Sequence, residues 1–150
     1  MVENLLPQAA VVAVKSPCAK SKRGVLVFRS DGTVVGRGVN AQPAPFACDG
    51  SETCRASCAK LCEHAEQAAL RDAGRLHPQA VLHMLHVKVV NGVAVPSGPP
   101  SCWQCSRAIL AAGISTVWLL HEDGVRGYSA EDFHRRTLEH EGLPVLRGAG

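Results

Sequence analysis

Aromatic residues are scarce in this sequence and make up 4% of its 150 residues. Proteins that follow single-stranded nucleic acids depend on aromatic stacking platforms, so this scarcity argues against a polynucleotide substrate. No apolar run approaches the ~18–20 residues of a membrane span, and the chain does not open with the basic and apolar segments of a secretory signal. The formal net charge of +3 is too small to indicate nucleic-acid binding by itself.

Apolar residues and cysteine, by contrast, are plentiful. Hydrophobic residues account for 46% of the chain, which is enough for the core of one domain spanning residues 1–150. The chain has seven cysteines, an odd number that does not fit a set of paired disulfides. Without a secretory signal we expect reduced thiols in the cytoplasm, where clustered cysteines are more often metal ligands or catalytic groups.

Turn and cap signals divide the chain into alternating helices and strands. Asp31-Gly32 is typical of a tight hairpin between the first two strands, whereas 41–57, with two prolines, resembles a long irregular loop. The order predicts an α/β fold, a three-layer αβα sandwich around a mixed five-stranded sheet. Its last two strands are expected to be parallel because a helix connects them. The predicted helices are 5–14, 63–73, 102–112 and 128–141, and the predicted strands are 24–29, 34–40, 81–90, 114–120 and 143–146.

Two short motifs carry the chemistry, His64-Ala65-Glu66 and Cys102-Trp103-Gln104-Cys105. The two cysteines are three residues apart at a predicted helix start. This spacing places both sulfurs on one face, beside free backbone N–H groups that favour thiolates. Zinc accepts cysteine sulfur and histidine nitrogen, and three protein ligands leave an open fourth position, as in catalytic sites. The motifs therefore predict a zinc site formed by His64, Cys102 and Cys105.

Glu66 is the one ionisable residue of the two motifs that is not among the predicted zinc ligands. Two residues apart in a regular helix, His64 and Glu66 would diverge by ~200°, so they converge only if the helix begins at 63–65. Glu66 would then stand beside the metal without binding it and move protons between bound water and substrate. Two alternatives compete with this interpretation: Cys102 and Cys105 as half of a structural zinc site or a redox pair, and His64 with Glu66 on the surface of an ordinary helix. The two motifs in this order form the signature of zinc nucleobase deaminases.

The chain resembles the cytidine deaminase-like superfamily, and most closely its deoxycytidylate deaminase branch. The resemblance covers most of the chain and includes Ser16-Pro17-Cys18, Gly38-Val39-Asn40, the catalytic helix 64–70 and the segment 106–117. The predicted parallel last strands and a histidine ligand are similar to this branch, whereas the free-cytidine deaminases resemble a three-cysteine pattern.

The resemblance implies that His64, Cys102 and Cys105 bind zinc, that Glu66 shuttles protons and that Asn40 contacts the nucleoside. It also implies hydrolytic deamination of cytosine in a free nucleoside or nucleotide, and a homo-oligomer. A deaminase of purine bases or nucleic acid is the alternative. A zinc-stabilised binding module without turnover is a further alternative from another class.

Ala65 and Trp103 complete the candidate substrate contacts, although Trp103, which lies between the two thiolates, fits a core position equally well. The family usually places proline directly before the first cysteine of the second motif. Here Ser101 separates Pro100 from Cys102, which leaves the identity of the substrate open more than the zinc site.

The remaining cysteines have two interpretations. Cys54, Cys58 and Cys62 are four residues apart, so on a helix they would share one face. With Cys18 or Cys48 they could bind a second, structural metal, as some deoxycytidylate deaminases do by resemblance. They could equally be small buried apolar residues.

Two groups of charged or titratable residues receive structural interpretations. The basic residues 15, 20, 22 and 23 are interpreted as a solvated face rather than a phosphate site. His83 and His86 lie three residues apart on a predicted strand and therefore on opposite faces. We expect both to be structural or exposed rather than metal ligands.

Overall fold

The computed structural model of the chain describes residues 1–75 and 80–146. In these two ranges a short 3-10 helix is followed by five α-helices and six strands. The predicted elements are present with small shifts of their bounds, except at the two places described below. The 3-10 helix is Val2–Leu5, the α-helices are α1 (Leu6–Val14), α2 (Glu52–Leu61), α3 (Ala65–Ala73), α4 (Trp103–Ala111) and α5 (Ala130–His140), and the strands are β1 (Lys22–Arg29), β2 (Val34–Val39), β3 (Leu82–Val90), β4 (Val93–Val95), β5 (Thr116–His121) and β6 (Gly124–Ser129).

The strands form one mixed sheet in the order β2-β1-β3-β5-β6, with β4 paired to β3. β3 and β5 are parallel, and the other pairs are antiparallel. Successive residues of a strand point to opposite faces, so Leu26 of β1 packs with α1 while Val25 and Val27 face α3, α4 and α5. Helices on both faces confirm the three-layer α/β arrangement, with six strands in place of the expected five.

The end of the sheet differs from the prediction. β6 returns antiparallel to β5 through a two-residue turn, with His121 paired to Gly124, and 143–146 forms no strand. The Asp123-Gly124 pair is itself a hairpin signal, and Gly124 has φ +118°, a value that favours glycine. The prediction of parallel last strands is therefore wrong, and it no longer supports the resemblance to one branch over another. Ser129 caps α5 by accepting the N–H of Asp132 at 3.0 Å, as the sequence predicts.

The predicted loop 41–57 contains the start of a helix. Ser51 caps α2 by accepting the N–H of Cys54 at 3.1 Å. The prolines and glycine of this segment all precede Ser51, and the stretch that follows has no helix breaker. The average composition of segment 41–57 therefore did not indicate α2, although the position of this helix affects the site.

Two glycines of β2 allow α3 to lie unusually close to the sheet. A Cβ on Gly36 would fall 2.6 Å from the carbonyl oxygen of Ala69, and one on Gly38 would fall 2.8 Å from the carbonyl carbon of Ala68. Both contacts are with the backbone of α3, so no side chain could rotate away from them. The two glycines thus allow the short distance between α3 and the sheet, and α3 carries Glu66 of the first motif. None of the helices in the described ranges combines the length and apolar character of a membrane span.

Candidate metal centre and cavity

The structure brings the side chains of His64, Cys102 and Cys105 together. His64 Nδ1 lies 3.2 Å from each of the two sulfurs, and the sulfurs are 3.3 Å apart. Donor atoms around a tetrahedral zinc lie about 3.5–3.8 Å apart, given zinc bonds of about 2.0–2.3 Å. A shift of a few tenths of an ångström would therefore admit the ion. Among the described residues this is the one group of three such donors whose atoms all lie within 4.8 Å of one another.

Two helix N-termini supply these donors. His64 is the residue that precedes α3, which begins at Ala65, and this confirms the start predicted from the spacing of His64 and Glu66. Cys102 precedes α4 in the same way, and Cys105 is fully buried in the first turn. Cys102 has φ +71°, a left-handed conformation that is rare outside glycine and concentrates at functional sites.

The other ring nitrogen of His64 is held by α2. His64 Nε2 lies 3.0 Å from the carbonyl oxygen of Ala59, which can only accept a hydrogen bond. Nε2 therefore carries a hydrogen, and Nδ1 is the ring nitrogen that faces the two sulfurs. Metal-bound histidines are usually oriented by such a second contact. Sequence reasoning missed this role because it assigned most of the segment before Ala59 to a loop.

The three donor side chains shift one another's pKa values. Hydrogen bonding with Cys105 and with His64 lowers the pKa of the Cys102 thiol to about 5. The hydrogen bond with Cys102 raises the pKa of His64 to about 9. The pKa of Cys105 is raised, since its thiol bonds to Cys102 and is buried. A thiolate is thus stabilised at neutral pH, and a divalent cation would take the place of the protons that now balance it.

A cavity of about 310 Å³ is lined by two of the three donor residues, His64 and Cys102. Glu66 lines this cavity, is 6% exposed and is not part of the donor group. The predicted substrate contacts Asn40 and Ala65 line it as well. The arrangement places a buried carboxylate, a metal-binding group and a space for a small molecule side by side.

Asn40 is engaged in several contacts with its own chain. Its Oδ1 accepts from Ser16 Oγ at 2.7 Å and from the N–H of Arg23 at 2.9 Å, and its Nδ2 donates to the carbonyl of Ser21 at 2.7 Å. The amide group has two N–H bonds, so one of them is available to a bound molecule. Asn40 thereby also joins the segment before β1 to the end of β2.

Trp103 lies outside the set of residues that line the cavity. The guanidinium of Arg107 stacks on its ring at 4.9 Å, and its backbone N–H donates to Glu141 at 3.0 Å. These contacts give no support to the predicted substrate contact of Trp103, which stays a prediction.

Four cavity residues were missed or interpreted differently. Lys20 and Arg23 of the predicted solvated face line the cavity, and so does the buried His86 of β3. Ser97 also lines it, and its hydroxyl is buried without a hydrogen-bond partner in the described residues. The spacing of His83 and His86 correctly predicted that they lie on opposite faces of β3. No sequence signal indicated that the face with His86 is the one beside Glu66.

Four of the other cysteines form a second cluster. Cys18, Cys58 and Cys62 are buried together with Cys48 packed against them, and the sulfurs of Cys48 and Cys62 are 3.7 Å apart. Cys54 lies outside this group. The four thiols are not all within the spacing of the first donor group, and a second metal stays a prediction.

Comparison with known proteins adds to this geometry. The profile of the family described as "Cytidine and deoxycytidylate deaminase zinc-binding region" matches residues 2–121. No curated protein matches the chain.

Solved structures share the fold. Cytidine deaminase from Burkholderia pseudomallei aligns with a TM-score of 0.62 and 23% identity, covering 89% of this chain and 95% of that one. The deoxycytidylate (dCMP) deaminase of cyanophage S-TIM5, in complex with dCMP and dUMP, aligns with a TM-score of 0.56 and 24% identity, covering 77% of each chain. Cytidine deaminase from Mycobacterium leprae aligns with a TM-score of 0.52 and 19% identity, covering 85% of this chain and 93% of that one.

Proposed function

Since the chain belongs to the cytidine and deoxycytidylate deaminase zinc-binding family, we propose that it is a zinc-dependent deaminase of cytosine in a free nucleoside or nucleotide, and that it releases ammonia. One observation carries this proposal. Three zinc-binding donors converge beside a small cavity, and the buried carboxylate of Glu66 faces that cavity without being one of the donors. A purely structural site would have no use for such a carboxylate.

His64, Cys102 and Cys105 would hold the zinc ion. Zinc with three protein ligands lowers the pKa of a water molecule in the fourth position, which supplies a nucleophile at neutral pH. Glu66 would take a proton from the attacking water and give it to the ring nitrogen next to the amino-bearing carbon. Once the water oxygen has bonded to that carbon, the same carboxylate would take the remaining proton of this oxygen and give it to the amino group, so that the C–N bond breaks and ammonia leaves. Since Glu66 is almost fully buried, bulk water does not compete for this proton.

The cavity supports a small substrate. Its volume of about 310 Å³ is at the lower end of the ~300–1,000 Å³ usual for small-molecule sites. Asn40 has one amide N–H beyond the one bonded to Ser21, and Ser97 is a second polar residue of the cavity wall. Lys20 and Arg23 place positive charge in the cavity wall, which favours a nucleotide over an uncharged nucleoside.

A substrate screen tests the proposal. Zinc-loaded protein is assayed for ammonia release with cytidine, deoxycytidine, CMP and dCMP, and with adenine and guanine compounds. We expect turnover of cytosine substrates and a lower KM for those with a phosphate. Turnover of purine compounds alone would refute the cytosine proposal and favour a purine deaminase. Turnover of oligonucleotides alone would refute a free nucleoside or nucleotide as the substrate and favour a nucleic-acid deaminase.

Substitution of the carboxylate tests the mechanism. We expect Glu66→Gln to keep zinc at the wild-type ratio and to lose deamination. Glu63→Gln is the matched control, because Glu63 pairs with the exposed Arg71 instead of facing the cavity. Activity retained by Glu66→Gln would refute the proton-transfer role. Zinc binding by a wild-type protein that turns over none of the substrates would favour a zinc-stabilised binding module.

Two further properties are proposed with the function. A reducing compartment such as the cytoplasm is proposed, because the donor group contains two cysteines, which bind zinc only as reduced thiols. A homo-oligomer is expected, and light scattering on the purified protein measures it.

A further inference from the structure

His86 is a buried histidine with a neighbour at each ring nitrogen. Its Nδ1 lies 3.7 Å from Oε2 of Glu66, and both side chains are about nine-tenths buried, at 11% and 8% exposure. Its Nε2 lies 3.2 Å from Nη1 of Arg23. Both neighbours line the same cavity as His86. The imidazole thus joins a cationic side chain to the carboxylate of the proposed mechanism.

The Arg23 contact decides where the ring hydrogen of His86 resides. A guanidinium can only donate hydrogen bonds, so Nε2 must accept and carries no hydrogen. Burial lowers the pKa of His86, which keeps the ring neutral with a single N–H. That hydrogen is therefore on Nδ1, and it faces Oε2 of Glu66.

We infer that His86, fixed in this tautomer by Arg23, is the residue that positions the Glu66 carboxylate for proton transfer. The inference rests on the proposed function. A donor at Oε2 holds the plane of the carboxylate and leaves Oε1 to carry the proton. The 3.7 Å separation is longer than a hydrogen bond, and catalytic contacts of this kind commonly tighten only when substrate is bound. His86 is not one of the three metal donors, so we expect its effect on the rate to pass through Glu66.

Three substitutions separate positioning from packing. In His86→Asn the amide nitrogen can take the place of Nδ1 and still donate to Glu66. In His86→Gln the amide reaches the position of Nε2, which keeps a partner for Arg23 but removes the donor at Glu66. His86→Leu removes both. His83→Leu is the matched control, because His83 lies on the same strand, bonds Ser30 at 3.0 Å and is not part of the cavity wall.

We expect His86→Gln and His86→Leu to lose about 10- to 100-fold in kcat, as is usual when a residue that orients a catalytic group is removed. KM and zinc content should stay near wild type, His86→Asn should recover most of the loss, and His83→Leu should have wild-type kcat. Equal kcat values for His86→Asn and His86→Gln, or full activity of His86→Leu, would overturn the inference.

A measurement on the unaltered protein covers the case in which a variant fails to fold. Nitrogen-15 NMR of the histidine rings should show His86 protonated at Nδ1, with the signal assigned by its absence from His86→Asn or from His86→Gln. A proton on Nε2 would overturn the inference whatever the kinetics show. Absence of deamination by the wild-type protein would instead refute the proposed function, and the tautomer would still be measured.

Discussion

The close approach of α3 to β2 predicts that a single methyl group at Gly38 disturbs the site. In Gly38→Ala the new Cβ would fall 2.8 Å from the carbonyl carbon of Ala68, and closer still to Ala69 N and Ala65 O. Ordinary van der Waals contact begins near 3.4 Å, so the helix must move by more than 0.6 Å, the difference between these two distances. Since α3 carries Glu66 and begins next to His64, the movement displaces both.

The expected loss has two parts. Overpacking of this kind costs about 1–3 kcal/mol of unfolding free energy, which for a chain of this length lowers Tm by about 2–4 °C per kcal/mol. Displacing a catalytic group by about 1 Å costs about 100-fold in rate.

Thermal unfolding and kcat of the zinc-loaded protein measure both effects. Arg37→Ala, one residue away on the exposed side of β2, is the control, because the bond of its backbone N–H to Asp72 at 2.8 Å remains. A Gly38→Ala protein with the Tm and kcat of Arg37→Ala would refute the reasoning.

Three further predictions follow from the site and its supports. Cys102→Ser should reduce bound zinc, measured by atomic absorption, by one equivalent per chain, and unchanged zinc would show that this thiol is not a ligand. Ser51→Ala should lower the unfolding free energy by about 0.5–2 kcal/mol, because the N-cap of α2 is lost. It should also weaken zinc binding in a competitive chelator titration, because the Ala59 carbonyl of α2 orients His64. Wild-type values of both the unfolding free energy and the zinc affinity would contradict this prediction. The lowered pKa of His86 means that below about pH 6.5 the unfolded chain binds a proton that the folded chain does not, so stability falls as the pH falls. Denaturant unfolding should give His86→Asn a slope shallower by up to about 1.4 kcal/mol per pH unit between pH 5 and 6.5, and parallel slopes would exclude this contribution.

The two helix starts that carry His64, Cys102 and Cys105 were predictable from the sequence because the constraint on each start is local. The spacing of His64 and Glu66 allows convergence only at a helix start, and the structure begins α3 at Ala65. The spacing of Cys102 and Cys105 imposes the same condition on α4. Local geometry of this kind does not depend on the rest of the fold.

Features that depend on packing between distant segments were not predictable. The burial of His86 against Glu66 follows from which face of β3 meets α3, and alternation along a strand does not choose between faces. The place of Trp103 outside the cavity depends on Arg107 and Glu141. β5 pairs with β6 rather than with the expected parallel strand 143–146. A two-residue turn at 122–123 closes this hairpin at a smaller entropy cost than the longer connection through a helix.

The position of the zinc ion is the most direct test of the whole account. A crystal of the zinc-loaded protein, measured on both sides of the zinc absorption edge, should show an anomalous peak about 2.0–2.3 Å from His64 Nδ1, Cys102 Sγ and Cys105 Sγ, with solvent at the fourth position. Glu66 should face that solvent without binding the ion. A map with no peak among these three atoms, or with Glu66 closing the coordination sphere, would contradict the account.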